Sequence, residues 1–344
     1  MNLPSRFKSA ARTLLRGETR SRRRSDLPPI TAAEIAEIRQ FFPRDKFFVL
    51  GHARSGTTLL ARLLRLHPEV HCNWQAHFFT RPPFLKSLVN SPEMEEWLSR
   101  KSNRWNHGHD LSAVTMRAAA DFIMERDALR EGKHIVGDKS PSSLIHGQAV
   151  RDLAAVYPDA KIVYIVRDGR DVLISERFRN FVEGSKFLTS QDRQIMAALR
   201  RDPAPFMDGS RSIFTESFLR RAARGWVANL GETEAEGQRL FGKKYRALRF
   251  EDLLGDPLAE MTRLWKFLGV KKVGKSMRKA VRGEMSSNPD EEWQANRNED
   301  IAAFLPKGQA GNWVRLFTIR DRAIFKEIAG DMLMKWKYEE GTSW

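Results

Sequence analysis

The sequence predicts an α/β fold: one domain with a central parallel sheet flanked by helices, entered through a strand, a glycine-rich loop and a helix. Two observations carry that expectation. Short apolar runs at 46–50, 133–137, 161–166 and 244–250 read as buried strands, and helical patterns lie between them, as parallel strands require. The 344 residues, 41% hydrophobic and 30% charged, show no internal repeat and no second composition regime, which excludes fibrous, low-complexity and mainly disordered chains.

The elements follow in order. Thr31-Ala-Ala-Glu34 is a capping box that opens a short helix with Ile35 and Ile38 on its apolar side. Lys46-Phe-Phe-Val-Leu50 is the first strand, Gly51-His-Ala-Arg-Ser-Gly-Thr-Thr58 the glycine loop, and Leu59 to Leu66 a helix that stops at His67-Pro68. A helix is expected over 111–130, a second strand over 133–137 and another helix over 143–156. Lys161-Ile-Val-Tyr-Ile-Val166 is continuous and β-branched, the pattern of a strand buried on both faces. Arg167-Asp-Gly-Arg-Asp171 turns it into a helix ending near Phe181. Residues 185–240 read as mostly helical with a loop near 203–209, followed by a fourth strand over 244–250 and a helix over 257–268. The stretch 271–313 reads as irregular, before a last helix over 320–335.

The 59 Lys and Arg against 43 Asp and Glu give a net charge of +16, so an anionic partner is expected. Nucleic acid, an anionic membrane and a phosphorylated small molecule all satisfy the charge; no nucleic-acid-reading motif occurs, and no nucleic-acid partner is expected. Eight of the basic residues crowd into positions 1–25 against the single acid Glu18. The division is therefore a flexible basic arm, 1–29, and a globular domain, 30–344. The arm reads as a soluble tail; the alternative is weak contact with an anionic membrane through Arg12, Arg16 and Arg20, spaced by four. No apolar run suits a secretory signal or a membrane span, Cys72 is the lone cysteine, and a cytoplasmic, at most membrane-peripheral, protein is expected.

The loop after the first strand places backbone N–H groups at a helix N-terminus, where a phosphate group can sit. Gly51, Gly56 and Thr58 match the spacing G-x-x-x-x-G-K-[ST], but Thr57 stands where that pattern has lysine. The strand 161–166 runs into Arg167, which suits an anion where a magnesium site would want a carboxylate. The unit is P-loop-like with its charge moved to Arg54. An adenosine phosphosulfate, whose transferred group carries less charge than a γ-phosphoryl, is compatible with fixed Arg and N–H donors and no metal; a P-loop kinase or NTPase is the alternative.

Four segments resemble the sulfotransferases that use 3′-phosphoadenosine 5′-phosphosulfate (PAPS). Phe47-Phe-Val-Leu-Gly-His-Ala-Arg-Ser-Gly-Thr-Thr-Leu-Leu60 is similar to their 5′-phosphosulfate loop, and Ile165-Val-Arg-Asp-Gly-Arg-Asp-Val-Leu-Ile-Ser175 to their 3′-phosphate motif. Leu248-Arg-Phe-Glu-Asp-Leu-Leu254 with Phe267-Leu-Gly269, and Lys307-Gly-Gln-Ala-Gly-Asn-Trp313 with Phe317-Thr318, match the later motifs in order. The resemblance implies a metal-free transfer of a sulfuryl group from PAPS to an acceptor, expected to be a hydroxyl. It implies Arg54, Ser55, Gly56, Thr57 and Thr58 around the phosphosulfate, Arg167, Ser175, Lys307 and Gly308 on the 3′-phosphate, and Phe250 near the adenine. Arg54 is further expected to reach the bridging oxygen or the sulfuryl group, and Lys139 to face the transferred group or the acceptor. Gln75 occupies the position where several relatives carry a glutamate base, and an amide cannot take a proton from an alcohol. His77 is the first candidate base, its alternative being a ring packed beside Phe78 and Phe79; Asp138 is the second, its alternative a turn pair with Lys139. His107-Gly-His109-Asp110 offers no third ligand at a convincing spacing, and no metal is expected. Trp293 and Trp313 are read as candidate walls of the acceptor site.

Overall fold

The computed structural model describes residues 27–143, 147–184, 188–270, 274, 276–287, 308–341 and 343–344. The basic stretch 1–26, Trp293 and Lys307 lie outside the described residues. After α1 (Ala32–Phe41) come β1 (Asp45–Gly51), α2 (Thr57–Arg65), β2 (Val70–Trp74), α3 (Pro92–Ser99) and α4 (Ser112–Arg130). β3 (Ile135–Lys139), α5 (Gln148–Val156), β4 (Lys161–Val166) and α6 (Gly169–Val182) follow, then α7 (Ser190–Arg201), α8 (Ala204–Met207) and α9 (Glu216–Phe241). The chain continues through β5 (Tyr245–Arg249), α10 (Phe250–Gly255), α11 (Pro257–Leu268), α12 (Ser276–Ser286), α13 (Trp313–Leu316) and α14 (Ile319–Lys335).

The strands form one sheet in the order β2-β3-β1-β4-β5, and every pair is parallel. Alternation along β1 divides the core. Phe48 and Leu50 face a cluster with Val136, Tyr164 and Val166 under α4, α5, α6, α9 and α14, while Phe47 and Val49 face a second cluster with Val163, Ile165 and the apolar sides of α2 and α11. Chain entry is fixed by caps. Thr31 and Glu34 close the expected capping box on α1, Asp168 caps α6 by accepting from the Arg170 N–H, and Thr318 with Asp321 boxes α14.

Three readings need correction. β2 is a fifth strand that the apolar-run criterion passed over: it lies at the sheet edge, and His71 and Asn73 interrupt its apolar run. The helix expected from 143 begins at Gln148, after Gly147 with φ +57°. Ser276–Ser286 is helical inside the stretch read as irregular, with Val281 buried against the α2 and α11 layer. No helix among the described residues is long and apolar enough to cross a membrane.

At the N-terminal edge of the sheet, charged groups are buried as a matched set. Lys46 Nζ lies 2.6 Å from Glu125 and 3.5 Å from Asp121, Arg44 pairs with Glu125 at 3.0 Å, and the Tyr157 hydroxyl donates to Asp121 at 2.9 Å. Arg117 donates to both Asp159 oxygens at 2.6 and 2.8 Å. Burial raises the Asp121 carboxyl above its ordinary value, opposed by Lys46 and Arg117. Removing one partner strands the others in a dry setting, so Lys46→Met should cost about 3–5 kcal/mol in urea unfolding, with part regained in Lys46→Met/Glu125→Leu. A single variant as stable as the wild type would refute the role of the pair.

Candidate functional site

The crossovers leave β1 for β2 on one side of the sheet and β3 for β4 on the other, and a crevice opens where the topology switches, outside the carboxyl ends of the strands. Gly51, Lys139 and Val166 end the three adjacent strands there. The loop 52–56 turns through two left-handed residues, Arg54 at φ +73° and Gly56 at φ +86°. Gly56 admits no side chain, because a Cβ would lie 2.2 Å from the Phe250 ring. α2 then starts at Thr57 with no side-chain cap, leaving the amides of its first turn directed at the crevice. Ser55 Oγ is buried there without a hydrogen-bond partner.

Arg167 leaves the end of β4 and ties the loop to a distant segment. Its Nη1 donates to the Arg54 carbonyl at 3.0 Å, its Nη2 to the Gln309 carbonyl at 2.8 Å, and its guanidinium lies 4.9 Å from the centre of the Phe250 ring. Arg167 Nε is buried and unpartnered. Arg54 in turn donates from Nε to Ser175 Oγ at 3.0 Å, so Arg54, Arg167 and Ser175, 121 residues apart at the extremes, form one cluster with Phe250 beneath it. Phe250, expected near an adenine, is 2% exposed and supports Gly56 and Arg167. Gly308, with φ +60°, opens the turn whose Gln309 carbonyl meets Arg167.

At the end of β3 adjacent side chains diverge, as strand geometry dictates. Lys139 Nζ lies 3.3 Å from Thr58 Oγ1 and 5.3 Å over the Trp74 ring, and burial lowers its pKa. Asp138 points the other way and accepts from the Ala76 N–H at 3.0 Å and from the Ser140 hydroxyl. Ser140 Oγ accepts the His77 N–H at 2.9 Å, and the Gln75 N–H donates to the Lys139 carbonyl at 2.9 Å. These bonds hold Gln75 at φ +56° and His77 at φ +54°, in the left-handed region. The His77 ring presents Nδ1 to Thr80 Oγ1 at 2.9 Å, while its Nε2 is buried without a partner. Burial, then the charges of Arg81 and Lys139, lowers its pKa below the ordinary imidazole value.

Sequence reasoning missed Asp171, which accepts the Gly311 N–H at 2.6 Å and the Trp313 N–H at 3.1 Å and so fastens the 308–313 turn to α6. It also missed Glu251, which accepts from the Asp168 N–H at 3.0 Å and the Tyr338 hydroxyl at 2.9 Å, and Trp74, half-exposed beside Lys139. A doubled Arg-Asp at 167–168 and 170–171 was the available signal for the first. Trp313, read as an acceptor wall, instead lays its ring against the Arg170 guanidinium, 3.5 Å from the ring centre. His107 and His109 are exposed in a turn, and no group of three or more metal-ligating side chains occurs among the described residues.

The profile described as the sulfotransferase family matches residues 45–273. Protein-tyrosine sulfotransferase A of Caenorhabditis elegans is 34% identical over 128 residues, 36% of this chain and 30% of that protein. The protein-tyrosine sulfotransferase of Drosophila melanogaster is 32% identical over 126 residues, 36% of this chain and 23% of that one. The chain thus spans less than a third of the length of these curated relatives. Among solved structures, the sulfotransferase domain of the Synechococcus PCC 7002 olefin synthase superposes with a TM-score of 0.47 at 17% identity, covering 91% of this chain and 98% of that one.

The two cations beside His77 lead to a direct measurement. In an NMR titration its midpoint should fall below that of a free imidazole, and Arg81→Gln should move it upward, since a nearby positive charge disfavours the protonated ring. A midpoint at or above the ordinary value, or a downward move in Arg81→Gln, would contradict this electrostatic account.

Proposed function

Because the chain belongs to the sulfotransferase family, we propose that it transfers a sulfuryl group from PAPS to an acceptor hydroxyl and releases adenosine 3′,5′-bisphosphate. The observation that carries this reading is the cluster at the β1 and β4 ends, where Arg54, Arg167 and Ser175 converge beside two buried donors without partners, Ser55 Oγ and Arg167 Nε. Unpartnered buried donors in a crevice suit an anion that supplies the missing acceptors. Two such anions are needed for this donor, and the cluster has two ends: the α2 N-terminus with Arg54, and Arg167 with Ser175 and Gly308.

The chemistry follows from the placements. Ser55, Gly56, Thr57 and Thr58 offer amides and hydroxyls to the phosphosulfate, and Arg54 and Lys139 offset the charge that grows on the leaving phosphate oxygen. The acceptor oxygen forms its bond to sulfur as the sulfur–oxygen bond to the 5′-phosphate breaks, and the acceptor proton passes to His77 Nε2. The Thr80 hydroxyl can accept a proton held on Nδ1, and in that tautomer Nε2 is the nitrogen that accepts. Its depressed pKa keeps the ring neutral, and hence basic, at neutral pH. Asp138 is a positioning residue here: through Ala76 and Ser140 it holds the turn that aims His77. The basic residues of 1–25 would add contact with an anionic membrane.

Transfer of ³⁵S from PAPS and calorimetric binding of adenosine 3′,5′-bisphosphate test the assignment. Arg54→Ala should lower kcat about 10²–10³-fold, and Arg167→Ala should weaken bisphosphate binding about 10-fold or more. His77→Ala should lower kcat about 10²–10⁴-fold and abolish the acid limb of the pH profile. Wild-type kinetics in the arginine variants would sink the function; an unchanged pH profile in His77→Ala would sink only the base.

A further inference from the structure

Arg170 is 1% exposed, yet it contacts no expected ligand of the donor. Its guanidinium sits in the corner of two indoles, 3.5 Å from the centre of Trp313 and 4.5 Å from that of Trp344, which meet edge to face at 80° with centroids 5.8 Å apart. Its charge is matched by Asp168, which accepts from Nε at 3.0 Å and Nη2 at 2.7 Å, and by Glu339. The same corner of the fold grips the turn that Trp313 closes: Arg167 holds the Gln309 carbonyl, and Asp171 holds the Gly311 and Trp313 amides. Trp344 touches both Arg170 and Trp313, and Lys326 Nζ lies 5.9 Å from its ring centre.

We propose that Trp344 is a positioning residue for the donor site, closing a cation–π stack through Arg170 and Trp313 that holds the 308–313 turn against Arg167. The inference rests on the donor reading, because it is the turn bearing Gly308 that Trp344 steadies. Two features give it content. The stack joins α6, which carries Ser175, to the turn that Arg167 holds at Gln309, so its loss loosens one wall of the proposed 3′-phosphate site, whereas Lys139 stands on β3 beside Thr58. Arg170 remains paired to Asp168 and Glu339 when the indole is removed, so no buried charge is stranded and the fold should persist.

The experiment compares Trp344→Leu with Trp344→Phe in the full chain; the first keeps apolar bulk without a π face, and the second keeps both. Binding of adenosine 3′,5′-bisphosphate by calorimetry should weaken about 3- to 10-fold in Trp344→Leu and stay within about 2-fold of wild type in Trp344→Phe. The KM for PAPS should rise in parallel in Trp344→Leu while kcat at saturating PAPS holds, a split that general loss of folded protein would not produce. Should Trp344→Leu fail to fold, Trp344→Met serves the same comparison. Equal bisphosphate affinity in Trp344→Leu and wild type, or equal weakening by Leu and Phe, would overturn the proposal. A wild-type chain that does not bind the bisphosphate at all would instead overturn the donor reading, and the proposal with it.

Discussion

The site depends on one buried guanidinium. Arg167 spends two of its donors on main-chain carbonyls, at Arg54 and at Gln309, and lays its face on Phe250. A planar fork of fixed donors suits this better than an ammonium would, because its two terminal nitrogens meet separate segments at set angles. Through those bonds the loop after β1, the corner after β4 and the turn near 310 become one object, although 142 residues separate Arg167 from Gln309.

The two edges of the sheet treat buried charge in opposite ways. At the N-terminal edge, Lys46, Arg44 and Arg117 each have a carboxylate within ion-pair distance, so that end is electrostatically closed. At the C-terminal edge, Arg167 binds carbonyls and Lys139 a hydroxyl, and neither has a carboxylate within 4.0 Å among the described residues. Neutral partners orient these cations without cancelling their field. The contrast leaves Arg167 and Lys139 with charge to offer an anion, while the cations at the N-terminal end are matched.

Much of this was readable beforehand, for identifiable reasons. Strands such as Ile162 to Val166 are buried on both faces, and burial on both faces writes an unbroken apolar run. β2 left no such run because its buried His71 bonds through one ring nitrogen to Asn73 and through the other to Glu131, a polar residue in the middle of the strand. Arg54, Arg167 and Ser175 could be singled out by motif, whereas the left-handed backbone of Gln75 and His77 could not, since it follows from bonds to Lys139 and Ser140 more than sixty residues on. The partners of Asp171 and Trp344 were hidden for the same reason: they are distant backbone amides and a guanidinium, which no local pattern records.

The tether between the 75–77 turn and β3 bears on how such a site can change over generations. Three successive amides, those of Gln75, Ala76 and His77, are held by the Lys139 carbonyl, the Asp138 carboxylate and the Ser140 hydroxyl. None of those bonds uses the side chain of residue 75 or 77. The frame therefore survives exchange of either side chain, and a lineage can trade a carboxylate at one position for an imidazole two residues away without rebuilding the turn. On the proposed function, the proton acceptor becomes a replaceable fitting on a main-chain mount, open to exchange without disturbing the proposed donor side of the crevice.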